Sequence, residues 1–384
     1  MKLLSALAAS FSILISLPGE GLAQVQSAYI GDKASFTAFV KKYGKVDWPI
    51  PETISYFDPA GSKDSVIRFA RWIPITNPAK GVVVHFNGRT EFIERNIYTY
   101  KDLLDRGFEV WAFDWRGQGL SKRQISAKQK HSIDSFDTYV SDATYFIDSV
   151  AHIKDSKGKK ILLAHSMGAQ IALRYLLSDA GRSVFDYAVF SSPLLRIPDD
   201  RWQVRLGNTL KTWIGLGTQC VFRKSDEWKS DFKVDACNLV KTRSATEAAL
   251  ADIADAKKYS NDWNKLADAN CLIESSKDAA GQSFPDLRLA CPTSDWLHAA
   301  FESTDIVMKN SSRLITPALI VRAKPDAAVD NDAQSEFCAA AKIKCVDIEK
   351  VGGTQTGHEL LIERQPIRER FFAEFDEFVK VERR

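Results

Sequence analysis

Ser166 stands in the run Ile161-Leu-Leu-Ala-His-Ser166-Met-Gly-Ala-Gln-Ile171. The stretch before it is apolar and strand-like, and the stretch after it has helical spacing. A serine on a tight strand-to-helix turn needs small residues two positions away on each side, because larger side chains would clash where the backbone folds back. Ala164 and Gly168 meet that need, with Ala164 where glycine is usual, and His165 completes the turn. Such a turn exposes the serine oxygen. It also sets the backbone N–H of Met167 at a helix N-terminus, where developing negative charge is stabilised. The chemistry implied is nucleophilic acyl transfer through Ser166.

A serine hydroxyl needs a base to attack. On this kind of turn the partners follow in the order serine, acid, histidine. The chain has six histidines: His85, His131, His152, His165, His298 and His358. Only His298 and His358 follow Ser166, and His358 lies in a loop between a strand and the last helix, so it is the expected base. The acid is expected just past the strand Ala318–Val321, at Asp326. Asp330 is the alternative, but Asp is also favoured as the cap of a following helix. The acid would orient His358 and stabilise its imidazolium. A second donor to the oxyanion is expected from the loop Phe86-Asn87-Gly88-Arg89-Thr90-Glu91, where Gly88 permits an unusual turn and the N–H of Arg89 could face the site. Glu91 is expected to fix this loop by local hydrogen bonds. For the Arg89 side chain, a surface charge and a role with substrate stay open.

The elements that must carry these residues alternate. Strands are expected at Thr53–Phe57, Ser65–Pro74, Val82–His85, Phe108–Phe113, Ile161–Ala164, Tyr187–Phe190, Ala318–Val321 and Lys344–Ile348. Helices are expected at Phe92–Asp105, Ser135–Ile153, Met167–Leu177, Asn331–Ala341 and Gln365–Val379. Repeated β-α-β units predict an α/β fold, a mostly parallel sheet covered by helices on both faces. The rhythm breaks over residues 193–312, a polar, helix-prone stretch with four of the six Cys and five of the nine Trp: Trp202, Trp213, Trp228, Trp263 and Trp296. It is read as a largely helical cap inserted into one domain formed by residues 24–192 and 313–384.

Residues 1–23 have the basic start, apolar run and small residues of a secretory signal peptide. Cleavage after Ala23 would export the protein to the periplasm or the medium. An even number of cysteines agrees with export. Fifteen pairings are open to six cysteines; the sequential order Cys220–Cys237, Cys271–Cys291 and Cys338–Cys345 is favoured. The net charge of +3 does not suggest a nucleic-acid partner. The sequence has neither a C-x-x-C pair nor an H-E-x-x-H motif, and no metal or cofactor is expected.

Four motifs in order resemble the serine hydrolases of the α/β-hydrolase fold, within the group that includes lysophospholipase L2 and monoacylglycerol lipase. Asn87-Gly-Arg-Thr-Glu91 resembles that group's oxyanion loop, and Phe113-Asp-Trp-Arg-Gly-Gln-Gly-Leu-Ser121 its D-x-R-G-x-G-x-S turn. Ala164-His-Ser-Met-Gly168 matches G-H-S-M-G except at the first position, and Thr356-Gly-His-Glu-Leu-Leu-Ile-Glu363 resembles the segment around the catalytic histidine. Asn87, Ala164, Ala169 and Ala323 depart from the common pattern by small changes. The resemblance implies a lysophospholipid or monoacylglycerol substrate, met at a membrane surface. The residues themselves speak only for acyl transfer. Two rivals remain: an amidase or aminopeptidase on the same scaffold, and a hydrolase fold used only for binding.

Overall fold

The computed structural model describes residues 32–43, 48–59, 66–125, 131–197, 289, 292–326, 328–363 and 365–380. Eight strands form one sheet: β1 (Thr53–Phe57), β2 (Ile67–Trp72), β3 (Gly81–Phe86), β4 (Phe108–Phe113), β5 (Lys159–His165), β6 (Tyr187–Ser191), β7 (Ala318–Ala323) and β8 (Lys344–Ile348). Their spatial order is β1-β2-β4-β3-β5-β6-β7-β8. The pairs β1–β2 and β2–β4 are antiparallel, and every other pair is parallel. The central strands are mostly apolar because both faces are covered.

Successive residues of the central strands enter opposite cores, as period-two alternation requires. Leu162 and Ala164 of β5 join one apolar cluster, and Ile161 and Leu163 the other. Helix α1 (Lys33–Tyr43), α2 (Ile97–Asp105) and α7 (Gln365–Lys380) supply Phe36, Ile97 and Phe371 to one face. Helix α3 (Phe136–Tyr145), α4 (Ser166–Leu177), α5 (Ser294–Lys309) and α6 (Asn331–Ala341) supply Tyr139, Ile171, Trp296 and Phe337 to the other.

Two helices were not foreseen. One is α1. The other is α5, which lies inside the stretch read as the insertion, has Thr293 Oγ1 accepting from Trp296 N–H at 3.2 Å as its cap, and buries Trp296, Ala299, Ala300 and Val307 in the core. Two expected helices are shorter than their apolar spacing predicts. Ile93–Asn96 is a 3₁₀ turn before α2, and α3 passes into a π-helical turn at Phe146–Val150. Both breaks keep the apolar residues buried, so periodicity alone does not reveal them. Cys338, in α6, and Cys345, in β8, are joined by a disulfide. Cys220, Cys237, Cys271 and Cys291, the expected signal peptide, and Trp202, Trp213, Trp228 and Trp263 lie outside the described residues.

Candidate active site

The turn from β5 into α4 carries Ser166 with φ +51°. A side chain in that left-handed region costs about 1–3 kcal/mol and persists only where the surroundings enforce it. Here they do. The register of β3 with β5 sets Phe86 against Ala164. A Cβ at Gly168 would stand 2.3 Å from the Phe86 carbonyl oxygen and 2.4 Å from that of Asn87. Helix α4 therefore lies directly against the loop after β3, a closeness only glycine allows. On the other side, the Leu194 N–H donates to the Ser166 carbonyl at 3.0 Å.

His358 approaches from the loop after β8, beyond a short hairpin of Lys350–Val351 and Thr354–Gln355 that turns at Gly352 and Gly353, both at positive φ. Its Nε2 lies 2.9 Å from Ser166 Oγ, and its Nδ1 2.7 Å from Asp326 Oδ2. Asp326 is fully buried at its side chain. Its Oδ1 accepts from the N–H groups of Ala328 (2.8 Å) and Val329 (3.2 Å). Burial raises this carboxyl, but the hydrogen bond and charge of His358, with the two amides, bring it below the ordinary carboxylate value. Asp330, the alternative acid, does another job: it caps α6 through Asp332 and Ala333 N–H and pairs with Arg196 at 3.1 Å.

The loop after β3 is braced on every side. Glu91 Oε2 accepts from the Gly88 N–H at 2.9 Å and from Asn96 Nδ2 at 3.0 Å. Gln118, in the D-x-R-G-x-G-x-S turn, accepts from the Thr90 N–H at 2.7 Å and donates to the Gly88 carbonyl at 3.3 Å. Trp115 Nε1 donates to the Asn87 carbonyl at 2.7 Å. Asp114, in the same turn, accepts from the Ile93 and Leu120 N–H groups, both at 2.8 Å. Thus the turn that resembles the hydrolase group's D-x-R-G-x-G-x-S motif holds the loop beside Ser166. The sequence marked the motif but not this use of Gln118 and Trp115. Met167 is the second residue of α4, where a backbone N–H has no acceptor within the helix. The Arg89 guanidinium is turned inward over the Trp296 ring, 5.4 Å from its centroid, and burial pushes it down to about 10. It is not the surface charge that one reading allowed.

His165 was expected only as part of the turn. It is buried, with Nδ1 2.5 Å from Glu91 Oε1 and Nε2 3.3 Å from the His358 carbonyl oxygen. The other histidines stand apart from Ser166. His85 is buried, pushed down to about 4 chiefly by that burial. His131 bonds Tyr139 at 2.7 Å, and His298 is exposed beside Glu302.

A mostly parallel eight-stranded sheet with this strand order, and a serine on the β5–α4 turn facing a histidine and an aspartate from later loops, define the α/β-hydrolase fold. Residues 77–365 match the family described as serine aminopeptidase, S33, and the chain belongs to that family. It is similar to a probable lysophospholipase L2 of Haemophilus influenzae, 26% identical over 84% of this chain and 91% of that protein. Lysophospholipase L2 of Escherichia coli K12 is 24% identical over 80% of this chain and 82% of its own length. Among solved structures, a soluble variant of monoglyceride lipase from Saccharomyces cerevisiae, in complex with a substrate analogue, matches with a TM-score of 0.55 at 16% identity, covering 87% of this chain and 96% of that one. The thioesterase domain from the curacin biosynthetic pathway also matches with a TM-score of 0.55, at 12% identity, covering 85% of this chain and 99% of that one.

Proposed function

We propose that the protein hydrolyses the carboxylic ester of a lysophospholipid or monoacylglycerol through an acyl-enzyme on Ser166. The observation that carries this reading is the unbroken hydrogen-bonded series from Ser166 Oγ through His358 to Asp326. His358 Nε2 takes the hydroxyl proton as Oγ attacks the ester carbonyl. The N–H groups of Met167 and Arg89 receive the developing oxyanion. Collapse expels the alcohol, which takes the proton from His358. Water then repeats the sequence against the acyl-enzyme. Asp326 keeps the proton on Nδ1, so that Nε2 presents its lone pair to the serine. Likeness to lysophospholipase L2 across most of both chains supports the lipid ester. The Cys338–Cys345 disulfide supports export to an oxidising compartment, with cleavage after Ala23. We propose as well that the insertion, residues 193–312, selects the substrate.

A fluorophosphonate probe should label the wild type at Ser166 and leave Ser166→Ala unlabelled. The labelled enzyme's substrates are then sorted with lysophosphatidylcholine, monoolein, p-nitrophenyl esters of several chain lengths and aminoacyl naphthylamides. Lipid-ester hydrolysis lost by several orders of magnitude in Ser166→Ala is the expected result. Turnover of the naphthylamides alone would transfer the protein to the aminopeptidase reading. Absence of all turnover and labelling would leave a binding protein.

A further inference from the structure

His165 faces two partners that can only accept. Nδ1 meets a carboxylate oxygen of Glu91, and Nε2 meets the backbone carbonyl of His358. A neutral imidazole has one N–H and one lone pair, so it cannot satisfy both. We infer that His165 is a doubly protonated positioning residue whose buried ion pair with Glu91 fixes, at one point, the loop beside the oxyanion and the loop that carries the base. The inference rests on the serine-hydrolase reading for its effect on rate, but not for its statement about protonation.

The connections through Glu91 are all buried. Glu91 Oε1 accepts a hydrogen bond from His165 Nδ1–H while Oε2 accepts one from the N–H of Gly88, the residue before Arg89. His165 Nε2–H holds the carbonyl of the residue whose ring must reach Ser166. The neighbouring Glu359 is tied to Arg95 at 2.8 and 3.0 Å, from the 3₁₀ turn that also supplies Asn96 to Glu91. A lone pair at Nε2 would instead oppose the lone pairs of the His358 carbonyl and push that loop away. A misplacement of about 1 Å can cost roughly 100-fold in rate.

The carboxylates around the ring favour the cationic form. Burial disfavours the charge, but Glu91 and, more weakly, Glu359 and the His358 carbonyl raise the imidazole above its ordinary value. Glu91 is correspondingly lowered despite its own burial, with Arg95 helping. His85, at the end of β3, answers by staying neutral: burial lowers it most, and the charge on His165 lowers it further, against the pull of Glu91. The His358 ring lies 4.8 Å from that of His165, centroid to centroid, and is itself paired with Asp326.

The test uses the full-length enzyme with ¹⁵N-labelled histidine, and His165→Gln and Glu91→Gln. At pH 7 the wild type should show one imidazole with both ring nitrogens protonated, missing in His165→Gln. A neutral tautomer at that resonance overturns the inference whether or not the enzyme turns over. In kinetics, His165→Gln and Glu91→Gln should lower kcat about 100-fold with KM within about twofold. Wild-type kcat should fall at alkaline pH as His165 loses its proton, and this limb should be missing from His165→Gln. Wild-type kcat in a folded His165→Gln, or an unchanged alkaline limb, would sink the positioning role. Loss of fluorophosphonate labelling in the wild type would instead sink the hydrolase reading and leave the NMR result standing.

Discussion

At the scale of single residues, Asp326 does more than point at His358. It receives two backbone amides on one oxygen and the imidazole on the other, with no exposure of its side chain. Asn in its place keeps the shape but offers an N–H where the ring needs an acceptor. That amide selects the wrong tautomer of His358, with Nε2 carrying the proton. Asp326→Asn should therefore lower kcat by about 10³–10⁴ while KM barely moves, measured on a soluble p-nitrophenyl ester. Stability carries a second signature. The folded-state carboxyl is depressed, so its contribution is fully present above the unfolded value near 3.9 and is lost as pH falls through the folded value. Thermal melts of wild type and Asp326→Asn should differ most at neutral pH and converge below about pH 4. A gap that widened in acid would contradict the assignment.

Among the elements, the closest approach in the site is that of α4 to the loop after β3. No rearrangement of a flexible side chain could relieve a Cβ at Gly168, because the atoms it would strike are the backbone carbonyls of Phe86 and Asn87. Gly168→Ala should cost about 1–3 kcal/mol of stability, seen in urea unfolding. It should also slow fluorophosphonate labelling at least tenfold, since the loop moves away from Ser166. Wild-type labelling with an unchanged midpoint would mean the loop has room. This level also marks what the sequence could reveal. The strands at Thr53–Phe57, Phe108–Phe113 and Lys344–Ile348 are legible to the residue, because β-favouring residues bounded by turn signals fix them. The meeting of Ser166, Asp326 and His358 is legible from their places after β5, β7 and β8. Helix α5 is not, although Trp296, Ala299, Ala300 and Val307 have helical spacing, because its surroundings are polar and its partner face belongs to helices far away in sequence. The two jobs of His165 are equally hidden: its partners are 74 and 193 positions distant.

For the whole molecule, the order of the sheet matters more than the order of the chain. Strands β6 and β7 lie side by side, with Ala188 against Ala318 and Ser191 against Val321, although the insertion separates them in sequence. Both apolar clusters draw on both sides of that interval: Leu162 and Phe190 share one with Ile320 and Phe337, and Leu163 and Val189 share the other with Leu319 and Phe371. Ser166 thus belongs to one half of the chain, and Asp326 and His358 to the other. A break placed between residues 198 and 288 would cut none of the described elements and would leave two polypeptides, each with half of two cores. Neither should react with a fluorophosphonate alone; produced together, they should reassemble along the β6–β7 edge and label the first polypeptide at no less than about a tenth of the intact rate, the loss of one covalent link being mainly one of effective concentration. Labelling of the first polypeptide by itself would refute the division. A hydrolase so divided is a split reporter: its signal appears only when two separately made pieces find each other.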